Sequence, residues 1–271
     1  MKKYPIAEIF TSPQGEGLYT GTLMTFIRFA GCSVGKKMNK QKRAEMLQKV
    51  FPLKVNAEHD HFRELPNGEL VPEESAFRII PEYTEVCTTY DGREFLCDTD
   101  FRTKEVLTVE EIVSKIPEGV EHVCLTGGEP LIHDLLPLIT ALKKFFDDRL
   151  GVKYHMPCIH IETSGTVDVT DSDEFSFDEG YIWLTVSPKL GVLNVMLELA
   201  DEIKILVDEG FDESKIPEEM KLESWRFSVW LQPVNFEFDV NRANMRRVLE
   251  LQKKHPSWRI SSQAHKIWNV R

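Results

Sequence analysis

What constrains this chain most is an alternation. Short apolar runs, rich in β-branched and aromatic residues, fall at 23–29, 123–126, 158–162, 182–186, 202–207, 227–231 and 258–262. Such runs read as strands. Helical patterns separate several of them. Thr108-Val-Glu-Glu111 is a capping-box start for a helix through about Ile116. Leu135, Leu136, Ile139, Leu142 and Phe145 recur at helical spacing within 133–149, and 241–254 reads as a further helix. Strand and helix in alternation predict a mainly parallel sheet with crossover helices. A full barrel, a partial barrel and an open doubly wound sheet all satisfy that pattern.

The 271 residues leave room for one large domain. No apolar stretch is long enough to span a membrane, and the N-terminus lacks the apolar core of a signal peptide, so a cytoplasmic location is expected. With 33 Lys and Arg against 44 Asp and Glu, the net charge is −11. That balance disfavours general nucleic-acid binding, which needs clustered cations, and suits an enzyme of small molecules. Residues 33–86 break the rhythm with a basic helical stretch, Lys36 to Val50, and then a Pro- and Glu-rich segment. A connection of that length reads as an insertion or added subdomain. We expect a single domain over 1–271 with this insertion, acting as a lid or dimer element.

Two features carry chemistry. Gly127-Gly128-Glu129-Pro130 follows the 123–126 strand directly, where α/β folds place ligands. Glycines there let backbone groups approach closely. The second is the cysteine set. Five cysteines in a chain of this size argue against a disulfide framework. Cys32 ends the first strand. Cys87 and Cys97 flank a hairpin around Asp91-Gly92. A three-residue turn at 91–93 places Cys87 opposite Cys97; a two-residue turn places it opposite Leu96. Three thiols at one end of a sheet suit an iron–sulfur cluster with one iron left open. Zinc fits less well, because the histidines show no paired ligand spacing.

Several motifs together resemble the 7-carboxy-7-deazaguanine synthases, radical S-adenosylmethionine enzymes of queuosine and deazapurine biosynthesis. They are Gln14-Gly15-Glu16-Gly17, Phe26-Ile-Arg28-Phe-Ala-Gly-Cys32, Cys97-Asp-Thr99 and Thr126-Gly-Gly-Glu-Pro130. Glu162-Thr-Ser-Gly165, Val186-Ser-Pro-Lys189, Leu231-Gln-Pro233 and Gln263-Ala-His265-Lys266 continue the likeness, which covers 4–32 and 95–271. The departure is the cluster motif. The family holds its cysteines in a tight run, whereas 54 residues separate Cys32 from Cys87 and nine separate Cys87 from Cys97. Cys32 and Cys97 match by flanking sequence. Cys87 is the expected third ligand, with Cys124 its competitor.

The resemblance implies a modified partial (β/α) barrel of radical S-adenosylmethionine type, usually a homodimer. It implies a [4Fe–4S] cluster on Cys32, Cys87 and Cys97, and Mg2+ on the Thr99 hydroxyl. S-adenosylmethionine would meet Gly127, Gly128, Glu129 and Glu162, then Ser187, Pro188 and Lys189, and the run Gln232, Pro233, Val234 and Asn235. The implied substrate is 6-carboxy-5,6,7,8-tetrahydropterin, contracted to 7-carboxy-7-deazaguanine with loss of ammonia. Pro13, Gln14, Gly15 and Glu16 would read its pterin edge. Arg28, a planar donor fork, would take its carboxylate. Thr126, His265 and the chain end at Arg271 would complete the site. A reduced flavodoxin or ferredoxin would supply the electron. Two alternatives remain: an activase that places a glycyl radical on a protein partner, and a non-catalytic protein that kept the fold and lost the cluster.

Overall fold

In the computed structural model the described residues are 2–37, 41–42, 45–46, 62–64, 70–72, 85–150, 157–169, 180–216, 227–235, 241–268 and 270. Most of the 33–86 insertion, most of the Lys36–Val50 stretch, and Asn269 and Arg271 lie outside them.

Nine strands form one sheet. β1 (Lys3–Pro13) and β2 (Leu23–Phe29) are antiparallel, with β7 (Glu105–Thr108) outside β1. From β2 onward every pairing is parallel: β8 (His122–Gly127), β9 (Ile159–Thr163), β10 (Ile182–Val186), β11 (Glu202–Val207), β12 (Ser228–Pro233) and β13 (Arg259–Ile260). β7 and β13 stay as the two edges, so the barrel is partial. Of the three architectures the alternation allowed, this is the one formed. β1 was not foreseen. Its Pro5, Pro13, Thr11 and Ser12 dilute the apolar alternation, and a bulge at Ala7 shifts its register against β2.

Two small antiparallel pairs stand apart: β3 (Phe62–Glu64) with β4 (Leu70–Pro72), and β5 (Val86–Thr88) with β6 (Glu94–Leu96). The helices whose bounds lie within the described residues include α1 (Val109–Ser114), α2 (Leu136–Leu150), α3 (Asn194–Leu199), α4 (Arg242–Lys254) and α5 (Ala264–Ile267). α1 starts on the expected capping box, with Thr108 and Glu111 each bonding the other's backbone N–H. Among the described residues no helix is long and apolar enough to cross a membrane.

Side chains alternate across each strand. Outward residues such as Ile27, Val123, Leu125, Ile161, Leu184, Ile203 and Leu231 pack against Leu138, Leu142, Phe146, Met196 and Leu251 of the helices. The inner face is layered. Met24, Phe26 and Cys124 form an apolar plug with Phe10 and Tyr19. Two residues further along β2 and β8, Arg28 and Thr126 line an open cavity.

Candidate active site

The cavity occupies the C-terminal ends of the parallel strands and measures about 840 Å³, within the range of small-molecule sites. Its glycine turn is explained by the chain itself. Gly127 has φ +126°, and a Cβ on Gly128 would fall on the Gly31 carbonyl oxygen and 3.0 Å from Cys32 Cβ. Gly128 N–H donates to Phe29 O (3.2 Å) and Glu129 N–H to Gly31 O (3.0 Å). The turn therefore grips the loop that carries Cys32. Glu129 is wholly buried and does not line the cavity. Its carboxylate accepts from Leu131 N (3.2 Å), Thr163 Oγ1 (2.7 Å) and Ser164 N (2.8 Å), which bolts β8 to β9. Glu129 thus shapes the turn and ties it to β9. Pro188 and Pro233 also lie outside the lining.

Cys32, Cys87 and Cys97 all line this cavity. Neither expected hairpin register occurs. Cys87 faces Phe95, and Cys97 bonds back to Glu85 through its N–H. The two cysteines are then diagonal neighbours on one face, within reach of a shared group. The hairpin is tied down from outside. Arg93 ion-pairs with Asp91 (2.6 Å) and with Asp208 beyond β11, and Thr89 bridges to Lys189. Cys124 is fully buried in the apolar plug, below the cavity, and Cys158 is buried in the core. Burial pushes all three cavity thiols up, as it does Cys124. Among the described residues no three His, Cys, Asp or Glu side chains converge closely enough to hold a single metal ion. A cluster asks something else, because each thiolate meets a different iron. Three thiols in the lining of one cavity suit it.

Beside the thiols, Lys189 is buried and donates to Ser187 O (3.0 Å) and Ser187 Oγ (2.8 Å). Burial pulls its ammonium down, partly opposed by Cys87. Arg28 donates from Nη1 to Thr99 Oγ1 (3.0 Å), two residues past Cys97, and its buried Nε lies 3.8 Å from Glu8 with no hydrogen-bond partner among the described residues. A guanidinium in the cavity lining fits an anionic ligand.

Next to Arg28, from its sheet neighbour Thr126 onward, the lining is acidic and amide-rich. Gln14 Nε2 donates to Glu162 Oε1 (3.3 Å), and Thr126 Oγ1 donates to Glu162 Oε2 (3.0 Å). Glu16 accepts from Gln232 Nε2 (3.0 Å) and Gln263 Nε2 (3.1 Å) and pairs with Lys204. The tail is latched over this wall. Ala264 N–H donates to Gly15 O (2.9 Å), and Lys266 Nζ donates to Asp98 (2.9 Å), Asn235 O (2.7 Å) and Gln263 (2.9 Å). Burial works to raise Asp98, but the Lys266 ammonium prevails and holds its carboxyl well below the usual range. His265, beside Gly15, is pushed down by burial, against the pull of Glu16.

No family model matches the chain. Curated relatives do. The 7-carboxy-7-deazaguanine synthase of Escherichia coli strain K12 is 29% identical, over 99% of this chain and 99% of its own. That of Synechocystis is 29% identical, over 99% of this chain and 94% of its own. The crystal structure of QueE from Escherichia coli aligns with a TM-score of 0.57 at 27% identity, covering 97% of this chain and 95% of that one. Over nearly its whole length the chain is similar to these synthases.

As in that family, the sheet is the radical S-adenosylmethionine fold. Of the residues the resemblance pointed to, Pro13, Gln14, Gly15, Glu16, Arg28, Thr99, Thr126 and His265 all line the one cavity, as do Gly127, Gly128, Glu162, Ser187, Lys189, Gln232, Val234 and Asn235. Arg271 lies outside the described residues. Sequence reasoning missed Lys204 and Ser164. Lys204 had a signal: Glu202 and Lys204 place two charges at alternate positions of an otherwise apolar strand.

Proposed function

We propose that the chain contracts the ring of 6-carboxy-5,6,7,8-tetrahydropterin to 7-carboxy-7-deazaguanine with loss of ammonia, in queuosine and deazapurine biosynthesis. The observation that carries this reading is a single cavity lined by three thiols, the Arg28 guanidinium and a set of carboxylates and amides. Cys32, Cys87 and Cys97 would hold the [4Fe–4S] cluster, which with S-adenosylmethionine supplies radical chemistry.

The chain's own side chains bind and orient. The Lys189 ammonium suits the methionyl carboxylate, with Ser187 Oγ beside it. Gly128 and the run from Gln232 to Asn235 shape the rest of that subsite. Arg28 takes the pterin carboxylate on its guanidinium N–H groups. Glu16 and Glu162 accept from ring N–H groups, and Gln14 supplies both a donor and an acceptor. Thr99 offers a hydroxyl oxygen to Mg2+, a hard cation that prefers oxygen. Phe95 and Phe101 line the cavity near the thiols and limit water there. A second copy of the chain, and a flavodoxin or ferredoxin as electron donor, are the partners this reading entails.

The test is anaerobic reconstitution with iron and sulfide, then incubation with S-adenosylmethionine, dithionite, Mg2+ and 6-carboxytetrahydropterin. Mass detection of the deazapurine from the wild type is the expected result. Cleavage of S-adenosylmethionine without that product would move the reading to a glycyl-radical activase. Failure to hold iron would move it to a non-catalytic fold.

A further inference from the structure

Lys204 belongs to none of the motifs discussed so far. It sits on β11 between Ile203 and Ile205, both buried in the core, and its side chain is only 7% exposed. It points inward to the cavity wall. Its ammonium meets Glu16 and lies 3.7 Å from Glu162. Those carboxylates come from the β1–β2 connection and from β9, so one cation joins two separate elements. A buried ammonium is costly unless paired, and here the pairing is with the groups that face the ligand.

We propose that Lys204 is the positioning residue of this wall: it holds Glu16 charged and fixes the aim of Glu16 and Glu162 at the 2-amino-4-oxopyrimidine edge of the substrate. The inference rests on the pterin reading above. It deepens that reading by naming what makes the wall an acceptor.

The surroundings support it. Glu16 is buried, which works to raise its carboxyl; the Lys204 ammonium turns the balance and holds it well below the usual range. Glu202, two residues along β11, accepts from Leu18 N–H (2.8 Å), and burial raises its carboxyl. Lys189 and Arg28 face the cavity from other walls, and the Cys124 thiol lies beneath. His265 is pushed down by burial and stays neutral above its ordinary range. Lys204 is therefore the cation in direct contact with Glu16. Remove it, and a buried Glu16 faces Glu162 and Glu202 with only the neutral amide donors of Gln232 and Gln263 left to oppose protonation. A protonated Glu16 presents a donor to a substrate donor.

The experiment uses the reconstituted enzyme with S-adenosylmethionine and follows fluorescence of pterin-6-carboxylate as it binds, from about pH 6 to about pH 9. Wild-type affinity should be flat. K204M should bind about tenfold or more weakly near pH 6 and recover as pH rises, because each pH unit below a raised pKa costs about tenfold. K204R, which keeps the charge, should stay within about threefold of wild type at each pH. Should K204M fail to fold, the paired change E16Q/K204M removes both charges. It should bind weakly with no pH limb. Affinity of K204M equal to wild type, or a loss of the same size at every pH, would overturn the proposal. So would an acid limb that persists in the double variant, or a wild type that binds no pterin. If the pH pattern appears but 6-carboxytetrahydropterin gives no deazapurine, the assigned reaction fails and the role of Lys204 stands.

Discussion

The inner face of the sheet has two layers built from the same strands, and they obey opposite rules. β2 gives Met24 and Phe26 to the lower layer and Arg28 to the upper. β8 gives His122 and Cys124 below and Thr126 above; β9 gives His160 below and Glu162 above. The lower layer is closed. Phe10 and Phe26 stack at 5.1 Å, and Tyr19 meets His160 edge-on at 4.5 Å and Trp183 at 5.2 Å. The upper layer is a cavity whose polar groups answer one another across elements. A step of two residues along a strand converts a packing position into a ligand position. Lower-layer changes should cost stability and spare chemistry; upper-layer changes should do the reverse.

The cysteines give the sharpest break. Cys87→Ala removes one of three cavity thiols and should abolish product formation and stable iron binding, with a melting temperature close to wild type. Cys124→Ala, in the lower layer, should keep iron and product and lose about 1–2 kcal/mol of stability through a small cavity. Iron content and urea unfolding of the two variants check this. An active Cys87→Ala enzyme would put the third ligand elsewhere.

The next pair sits on a single strand. Arg28→Lys keeps the charge but loses the planar fork, so kcat/KM should fall by about 100-fold with little change in unfolding. Met24→Ala, on the same face of β2 and below the cavity lining, should cost about 2–5 kcal/mol while the folded fraction keeps its turnover. Steady-state kinetics normalised to folded protein, beside denaturant melts, would test both. A large loss of turnover per folded Met24→Ala molecule would mean that the layers are coupled.

The two layers also differed in how legible they were. The parallel strands are runs of Ile, Val and Leu, and those runs need no partner to be recognised, so β8 to β12 lie within a few residues of the expected positions. The site was legible where a local motif carries it, as in Thr126-Gly-Gly or Ser-Pro-Lys189. It was not legible where the partner is distant. Glu129 follows the Gly-Gly turn, but the partners of its carboxylate, Thr163 and Ser164, lie at the end of β9 and just past it. The hairpin register lies one residue from the expected pairing of Cys87 with Leu96 and two from that with Cys97: Thr89 N–H pairs with Arg93 O, closing a turn over Tyr90, Asp91 and Gly92. Arg93 then reaches Asp208, more than a hundred residues on. Lys204 is the same lesson, since its meaning lies in Glu16 and Glu162.

The smallest expected effect probes whether the lower layer is sealed. His122 Nδ1 and His160 Nε2 share one hydrogen bond at 3.0 Å, both rings buried beneath Tyr19. Burial, then His122, pushes His160 down to about 3, and burial also lowers His122. An unfolded histidine titrates near 6.5. The unfolded chain therefore takes up a proton that the folded layer refuses. Stability from this pair is complete above about pH 6.5 and falls as pH drops below it. For His160 alone the fall from about pH 7.5 to about pH 5.5 is about 1.4 kcal/mol. Urea unfolding of wild type and His160→Gln at both pH values isolates it, because carboxylates that titrate in both proteins cancel in the difference. The stability gap between them should shift in favour of the variant by about 1.4 kcal/mol at the acid pH. A gap that does not move with pH would mean that the folded pair already accepts a proton, and that water reaches the layer Tyr19 is meant to close.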